Sequence, residues 1–307
     1  MSLLRIIVFM SFSLLLLFYP GEYWLTRVFS QQDLWQDKPI KRFSLHPIPV
    51  VSAFAPYPPI SAEGVYVTDF TSFTPIFEHN SKSKFYPAST AKIITALVVA
   101  DIFKPTDVIV VSKQITKQDE PDWQLMGLVT GEKITVENLL YGILVHSAND
   151  AAFTFANTYG YDRFIQKMNE KAAELGMKNS HFKNPIGIDD FEQLTTPYDL
   201  ALASRALLKD SYLAKFVSTK EIIISDVDYK YFHKLSNVNK LLGEIIGIGG
   251  LKTGYTELAG QNLVSFYKKD GNQYIIVVLK SLDRFEDTRT ITLWIDQYVS
   301  HISMPLN

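Results

Sequence analysis

Apolar and polar positions divide this chain into segments of distinct period. Residues 6–19 are apolar except Ser11 and Ser13, and Arg5 precedes them. Residues 64–70 read as a strand, with 75–79 as its hairpin partner. Pro87, Ala88 and Ser89 then open an apolar run over 93–103, broken only by Thr95 and Asp101, which predicts a buried helix. Residues 108–111 predict a short strand, and 136–159 predict two helical stretches broken near 146–149. Phe164, Ile165, Met168, Ala172 and Leu175 recur at helical spacing over 162–175, and Gly176 stops that helix. Pro197 after Thr196 suits the first turn of a helix over 198–208. The period then changes. Residues 262–267 and 274–279 flank Asp270-Gly271, a strong antiparallel hairpin signal. A closing helix follows over 286–299. Strands at both ends and helices between them predict one mixed α+β domain. Its antiparallel sheet joins early and late strands, with flanking helices and an inserted helical lobe.

The N-terminal run has the form of an export segment. Around residue 20, Phe18-Tyr19-Pro20-Gly21-Glu22 offers no small-x-small cleavage site. Residues 3–19 just reach the lower limit of about 17 for a membrane span, with Arg5 snorkelling and Tyr19, Tyr23 and Trp24 at the interface. An uncleaved anchor is therefore favoured over a cleaved signal. Pro39, Pro47, Pro49, Pro56, Pro58 and Pro59 then favour extended backbone. The predicted organisation is an anchor or signal over 1–26, a stiff linker over 27–60 and a catalytic domain over 61–307.

Composition removes several function classes. With 30 basic against 32 acidic residues and no basic stripe, nothing points to nucleic acid. Cysteine is absent, and the six histidines form no His-Glu-x-x-His signature, so no zinc ligand set is visible. An apolar fraction of 47% allows a sizeable core.

Three short motifs carry chemistry: Ser89-Thr90-Ala91-Lys92, Ser147-Ala148-Asn149 and Lys252-Thr253-Gly254. Ser-x-x-Lys alone is weak, since it recurs at Ser81/Lys84, Ser180/Lys183 and Ser265/Lys268. Only Ser89 and Lys92 stand at the start of an apolar helix, where residues three apart share a face and the first amides lack intrahelical partners. Burial there lowers the lysine pKa, which suits a neutral base. Ser147 and Asn149 fall in a helix break, placed to relay a proton and to orient Lys92 and a substrate carbonyl. His146, Ser147 and Asp150 do not suggest a triad, because sequence neighbours seldom converge; Asp150 reads as structural. On a strand, Lys252 and Gly254 face one way and Thr253 the other. Lys252 then offers a cation for a carboxylate, Gly254 leaves room for a substrate backbone, and the Tyr255 amide offers an oxyanion donor.

With these motifs placed, the chain resembles the low-molecular-mass penicillin-binding proteins, the serine D-alanyl-D-alanine carboxypeptidases. Residues 86–97, 139–152 and 250–256 look like that family's three motif segments, and 184–187 like a connecting one. The resemblance covers about residues 60–300. It implies a β-lactamase/transpeptidase-like fold and attack by Ser89 on the penultimate D-Ala carbonyl of a peptidoglycan stem peptide. It also implies Lys92 as base, Ser89 and Tyr255 amides at the oxyanion, and Lys252, Thr253 and Arg284 at the terminal carboxylate, with Arg289 close enough to compete for that place. β-Lactam antibiotics are the implied inhibitors, and no cofactor is implied. The substrate places the domain outside the cytoplasmic membrane, with the N-terminal segment as its membrane contact. The family often carries a further β-rich domain and an amphipathic C-terminal helix; a chain ending at Asn307 leaves anchoring to the N-terminus. Residues 119–127 carry unusual bulk, including Trp123, and shape substrate access or form an ordinary loop. The alternatives are a D,D-endopeptidase, a β-lactamase and an idle wall-binding scaffold. Glu170, Glu174, Glu192, Glu221 and Glu244 supply no trusted deacylation motif for the second.

Overall fold

The computed structural model describes residues 3–17, 47–120 and 122–302. The chain divides into two units, Met1–Leu45 and His46–Asn307. Within the first, α1 (Leu3–Leu17) exposes apolar side chains, and no helix among the described residues is long and apolar enough to cross a membrane. The expectations for Tyr19, Tyr23, Trp24 and Pro39 lie outside the described residues.

The second unit is built on a five-stranded antiparallel sheet. Its strands are β2 (Gly64–Asp69), β3 (Pro75–His79), β8 (Ile248–Thr256), β9 (Gly260–Lys269) and β10 (Asn272–Ser281), in the order β3-β2-β10-β9-β8. Early and late strands pair as the sequence pattern requires. Both faces of the sheet are covered, so central strands read as nearly continuous apolar runs. On β10, Ile275, Val277 and Leu279 face the helical lobe, while Tyr274, Ile276 and Val278 face the other side. That other side is covered by α8 (Arg284–Tyr298) through Ile291, Trp294 and Ile295. Asp283 caps α8 by accepting from the Phe285 and Glu286 amides.

The lobe comprises α2 (Lys92–Ile102), α3 (Val136–Leu144), α4 (Asn149–Tyr159), α5 (Tyr161–Glu174), α6 (Pro197–Lys209) and α7 (Ser211–Val217). α2 is buried from Lys92 through Val99, which explains its lack of a polar face. Thr196 caps α6 with Pro197 in its first turn, and Gly176 follows α5 at φ +78°. Two short pairs complete the lobe: β4 (Val108–Val110) with β5 (Lys133–Thr135), and β6 (Glu221–Ser225) with β7 (Phe232–Ser236).

The predicted linker boundary at residue 60 needs correction. β1 (Ile48–Val51) pairs antiparallel with β11 (Val299–Ile302), and Trp294 Nε1 donates to the Pro56 carbonyl at 2.7 Å. Prolines lack a donor but keep an acceptor, so this proline-rich stretch packs on the domain as an edge pair. The closing helix accordingly ends at Tyr298, where β11 begins.

Candidate active site

The Ser89 turn is held by groups on three sides. Ala88–Ala91 forms one turn of 3-10 helix leading into α2, with Ala88 at φ +46°. Gly187 and Gly254 press against this turn. A Cβ on Gly187 would lie 1.8 Å from the Ala88 carbonyl oxygen, and one on Gly254 would lie 2.9 Å from the Ser89 amide nitrogen. The bare position at Gly254 therefore admits the protein's own turn, where the sequence reading reserved it for a substrate backbone. Asn262 on β9, fully buried, donates to the Tyr86 and Pro87 carbonyls at 2.9 and 3.1 Å and accepts from the Lys280 amide.

The Lys92 side chain is buried within this frame. Its Nζ lies 2.8 Å from Ser89 Oγ and donates to Asn149 Oδ1 at 2.6 Å and the Ile186 carbonyl at 2.9 Å. Burial, and secondarily the Lys252 charge, hold its pKa well below the ordinary lysine value, with Asp150 opposing. A neutral amine has two N–H donors and one lone pair. In the neutral form, Asn149 and Ile186 would use the two donors and leave the lone pair toward the Ser89 hydroxyl.

Ser147 and Asn149 sit at the break between α3 and α4. Ser147 adopts φ +61° and lines the cleft. The break is stitched by Ala148 N donating to the Gly142 carbonyl at 2.8 Å and Asn149 N to the Gln124 carbonyl at 2.7 Å. Asp150 is structural, as the sequence suggested: its carboxylate accepts from the Met126, Gly127 and Leu128 amides. His146 turns to Gln124 and Ser236, so no triad assembles. Behind the same loop, buried His233 joins the Met126 carbonyl to Glu132 Oε1 at 3.0 and 2.7 Å. Burial depresses the His233 pKa, but Glu132 and the carbonyl outweigh it and raise it overall.

β8 is the open edge of the sheet, and a bulge between Gly250 and Lys252 precedes the motif. The cleft runs along this edge, so Thr253, Gly254 and Tyr255 all line it. Lys252 is buried and stands off the cleft surface, its pKa pushed down to about 7 by burial and then by Arg284. Arg284 lines the cleft and donates from Nη1 to the Gly254 carbonyl at 2.7 Å. Arg289 instead pairs with Glu244 and Glu286. Geometry thus separates Arg284, which the sequence reading named, from its neighbour Arg289.

The cleft encloses about 630 Å³. Asp122, Trp123 and Gln124 of the bulky 119–127 segment form part of its wall. Ile186 and Gly187 line it from the opposite loop; neither had been singled out as a site residue, since the group Ile186 contributes is a backbone carbonyl. Glu170, Glu174, Glu192, Glu221 and Glu244 are each paired with a cation outside the cleft. Among the described residues no three His, Asp or Glu side chains gather to hold a metal ion.

A family model described as D-alanyl-D-alanine carboxypeptidase matches residues 51–282. The D-alanyl-D-alanine carboxypeptidase DacF of Bacillus subtilis is 32% identical over 234 residues, covering 74% of this chain. DacD of Escherichia coli is 30% identical over 258 residues, covering 78%. This chain spans 60% of the length of DacF and 65% of that of DacD. Among solved structures, the Streptomyces K15 DD-transpeptidase superposes with a TM-score of 0.73 at 29% identity, over 78% of this chain and 98% of that one. Penicillin binding protein 6B of Escherichia coli gives 0.71 at 29% identity, over 80% and 81%. The mixed fold with its antiparallel sheet is the fold of these enzymes.

Proposed function

The chain belongs to the D-alanyl-D-alanine carboxypeptidase family, and from that premise we propose that it removes the terminal D-alanine of peptidoglycan stem peptides through an acyl-enzyme on Ser89. The observation that carries the proposal is the Lys92 amine, with two fixed acceptors on its N–H groups and its third contact to Ser89 Oγ.

In this mechanism Ser89 Oγ attacks the penultimate D-Ala carbonyl carbon as Lys92 Nζ takes the hydroxyl proton. The Ser89 and Tyr255 amides receive the developing oxyanion; losing one such donor typically costs about 3–4 kcal/mol of transition-state stabilisation. The C–N bond then breaks, and the proton passes from Lys92 by way of Ser147 to the leaving amine. Water, deprotonated by the regenerated Lys92, cleaves the ester and returns Ser89. Thr253 and Arg284 on the cleft wall hold the terminal carboxylate, with the buried Lys252 charge behind them. That demand for a free carboxylate favours carboxypeptidase over endopeptidase action. A β-lactamase reading lacks support, since the five glutamates considered for deacylation lie outside the cleft. The substrate places the domain on the outer side of the cytoplasmic membrane, with the apolar N-terminal segment serving export or anchorage.

The test pairs a labelled penicillin with a D-Ala-D-Ala peptide. A lasting adduct mapped to Ser89, with D-alanine released from the peptide, is the expected result. Rapid drug turnover without D-alanine release indicates a β-lactamase, and a folded protein with neither adduct nor release refutes the proposal.

The two lysines also set a pH profile. Lys92 is the base only when neutral, so activity falls as pH drops through its depressed pKa. Lys252 attracts a carboxylate only when charged, so binding weakens as pH rises through about 7. A plot of kcat/KM, which reports free-enzyme ionisations, is expected to be bell-shaped with its alkaline limb near 7. The alkaline limb is expected to be a rise in KM, and a substrate with an amidated C-terminus is expected to lack it. An alkaline limb of equal size in kcat would contradict the role given to Lys252.

A further inference from the structure

Trp123 belongs both to the cleft wall and to an aromatic stack that leads away from it. Its ring stacks on Phe153 of α4 at 5.1 Å and 11°, and Phe153 stacks on Tyr161 of α5 at 5.9 Å and 18°. Tyr161 lines a second cavity of about 300 Å³, between α5 and residues 181–183. Asp162, Gln166 and His181 bring exposed polar groups to its rim, and Ile165 and Phe182 supply an apolar floor. The floor is fixed: Asn169 donates to the Ile165 and Phe182 carbonyls at 3.0 and 2.8 Å and accepts from the Phe182 amide at 2.9 Å. Residues 181–183 run directly into the segment whose Ile186 carbonyl holds Lys92. The two cavities are thus joined twice, by the aromatic stack and by one continuous stretch of backbone.

We infer that this second cavity, with Tyr161 at its wall, is a subsite for the amino-sugar backbone to which the stem peptide is attached. The inference rests on the proposed peptidase reading for the direction of the substrate. The terminal carboxylate is assigned to the β8 and Arg284 side of the cleft. The rest of the peptide then leaves past Trp123, on the wall formed by residues 122–124, and its glycan end follows the aromatic stack toward α5. The chemistry of the cavity fits a neutral polyol. Lys183 is neutralised by Glu192 at 2.9 Å, so no free cation there selects an anion. Asp162, Gln166 and His181 offer donors and acceptors for hydroxyl and acetamido groups, and an aromatic wall suits the C–H face of a sugar ring.

The test titrates a peptide-free oligomer of the alternating amino-sugar backbone into the protein, with chemical shifts read by NMR. The Asp162→Ala/His181→Ala variant removes two exposed side chains, and its melting temperature reports that it folds. Wild type is expected to bind at millimolar concentration with shifts at Tyr161 and Phe182, and the variant about tenfold more weakly. In parallel, kcat/KM is expected to be higher for a disaccharide-pentapeptide than for the free pentapeptide, with the ratio collapsing toward one in the variant through KM. No glycan binding by wild type, or equal binding by the variant, overturns the inference even where D-alanine is released from free peptide. Glycan binding without D-alanine release upholds the subsite and refutes the peptidase reading.

Discussion

Ser89→Ala is expected to eliminate both D-alanine release and the covalent penicillin adduct while leaving the fold intact. Removing a serine nucleophile from a hydrolase costs on the order of 10⁵–10⁶-fold in turnover, because the remaining groups have no bond-forming partner. Stability should barely move, since the Ser89 hydroxyl contacts only Lys92, while the turn is held by groups that alanine keeps. These are Asn262 on the Tyr86 and Pro87 carbonyls, and Gly187 and Gly254 against its backbone. No other Ser-x-x-Lys pair can take over. Ser81 is bonded to Glu78, Ser180 to Asp199 and Thr195, and Ser265 is buried in β9. The measurements are adduct mass, D-alanine release and the melting curve of the variant. Turnover near the wild-type rate in a folded Ser89→Ala protein would sink the acyl-enzyme mechanism. Wild-type turnover of nothing at all would leave the idle scaffold standing.

The residues with chemistry in their side chains were legible in the sequence; the groups that position them largely were not. Ser89 and Lys92 could be paired because a helix start fixes the geometry of residues three apart. Ser147 and Asn149 could be placed in a helix break, and the early and late strands could be assigned to one sheet. The Ile186 carbonyl left no trace, because every residue has a carbonyl and only the fold selects this one. Asn262 was hidden inside a strand pattern, where nothing marks a side chain that holds another loop's backbone. Gly254 was noticed for a missing side chain, but which neighbour fills the space is a matter of tertiary contact. Arg284 and Arg289 lie on one helix, and which of them faces the cleft depends on how α8 crosses the sheet. Proline content set the linker boundary too late, since pairing of β1 with β11 joins residues some 250 positions apart and no local pattern carries it. The buried Glu132–His233 contact was missed for the same reason, its partners being 101 positions apart, whereas β6 and β7 form a local hairpin that the sequence reading passed over.

Lys92→Ala is expected to slow acylation of Ser89 by about 10³-fold, within the range that general-base assistance supplies. The loss should fall on kcat, because Thr253 and Arg284 still line the cleft and Lys252 still stands near them. Removal of the amine leaves Asn149 Oδ1 and the Ile186 carbonyl without that donor, a cost of about 1–3 kcal/mol for each group left unpaired. Relief from burying an amine offsets part of that cost, so the melting temperature is a control and the acylation rate is the test. The pH profile separates the two lysines more sharply than any rate. The Lys252 charge lowers the Lys92 pKa, while burial and then Arg284 lower that of Lys252. The acid limb belongs to Lys92 as base and the alkaline limb to Lys252 as the cation behind the carboxylate site. In Lys92→Ala the acid limb should therefore vanish from the residual acylation rate, while the KM rise above pH about 7 persists. An acid limb that survives the substitution would assign the base to another group. An alkaline limb that disappears with Lys92 would reverse the roles of the two lysines.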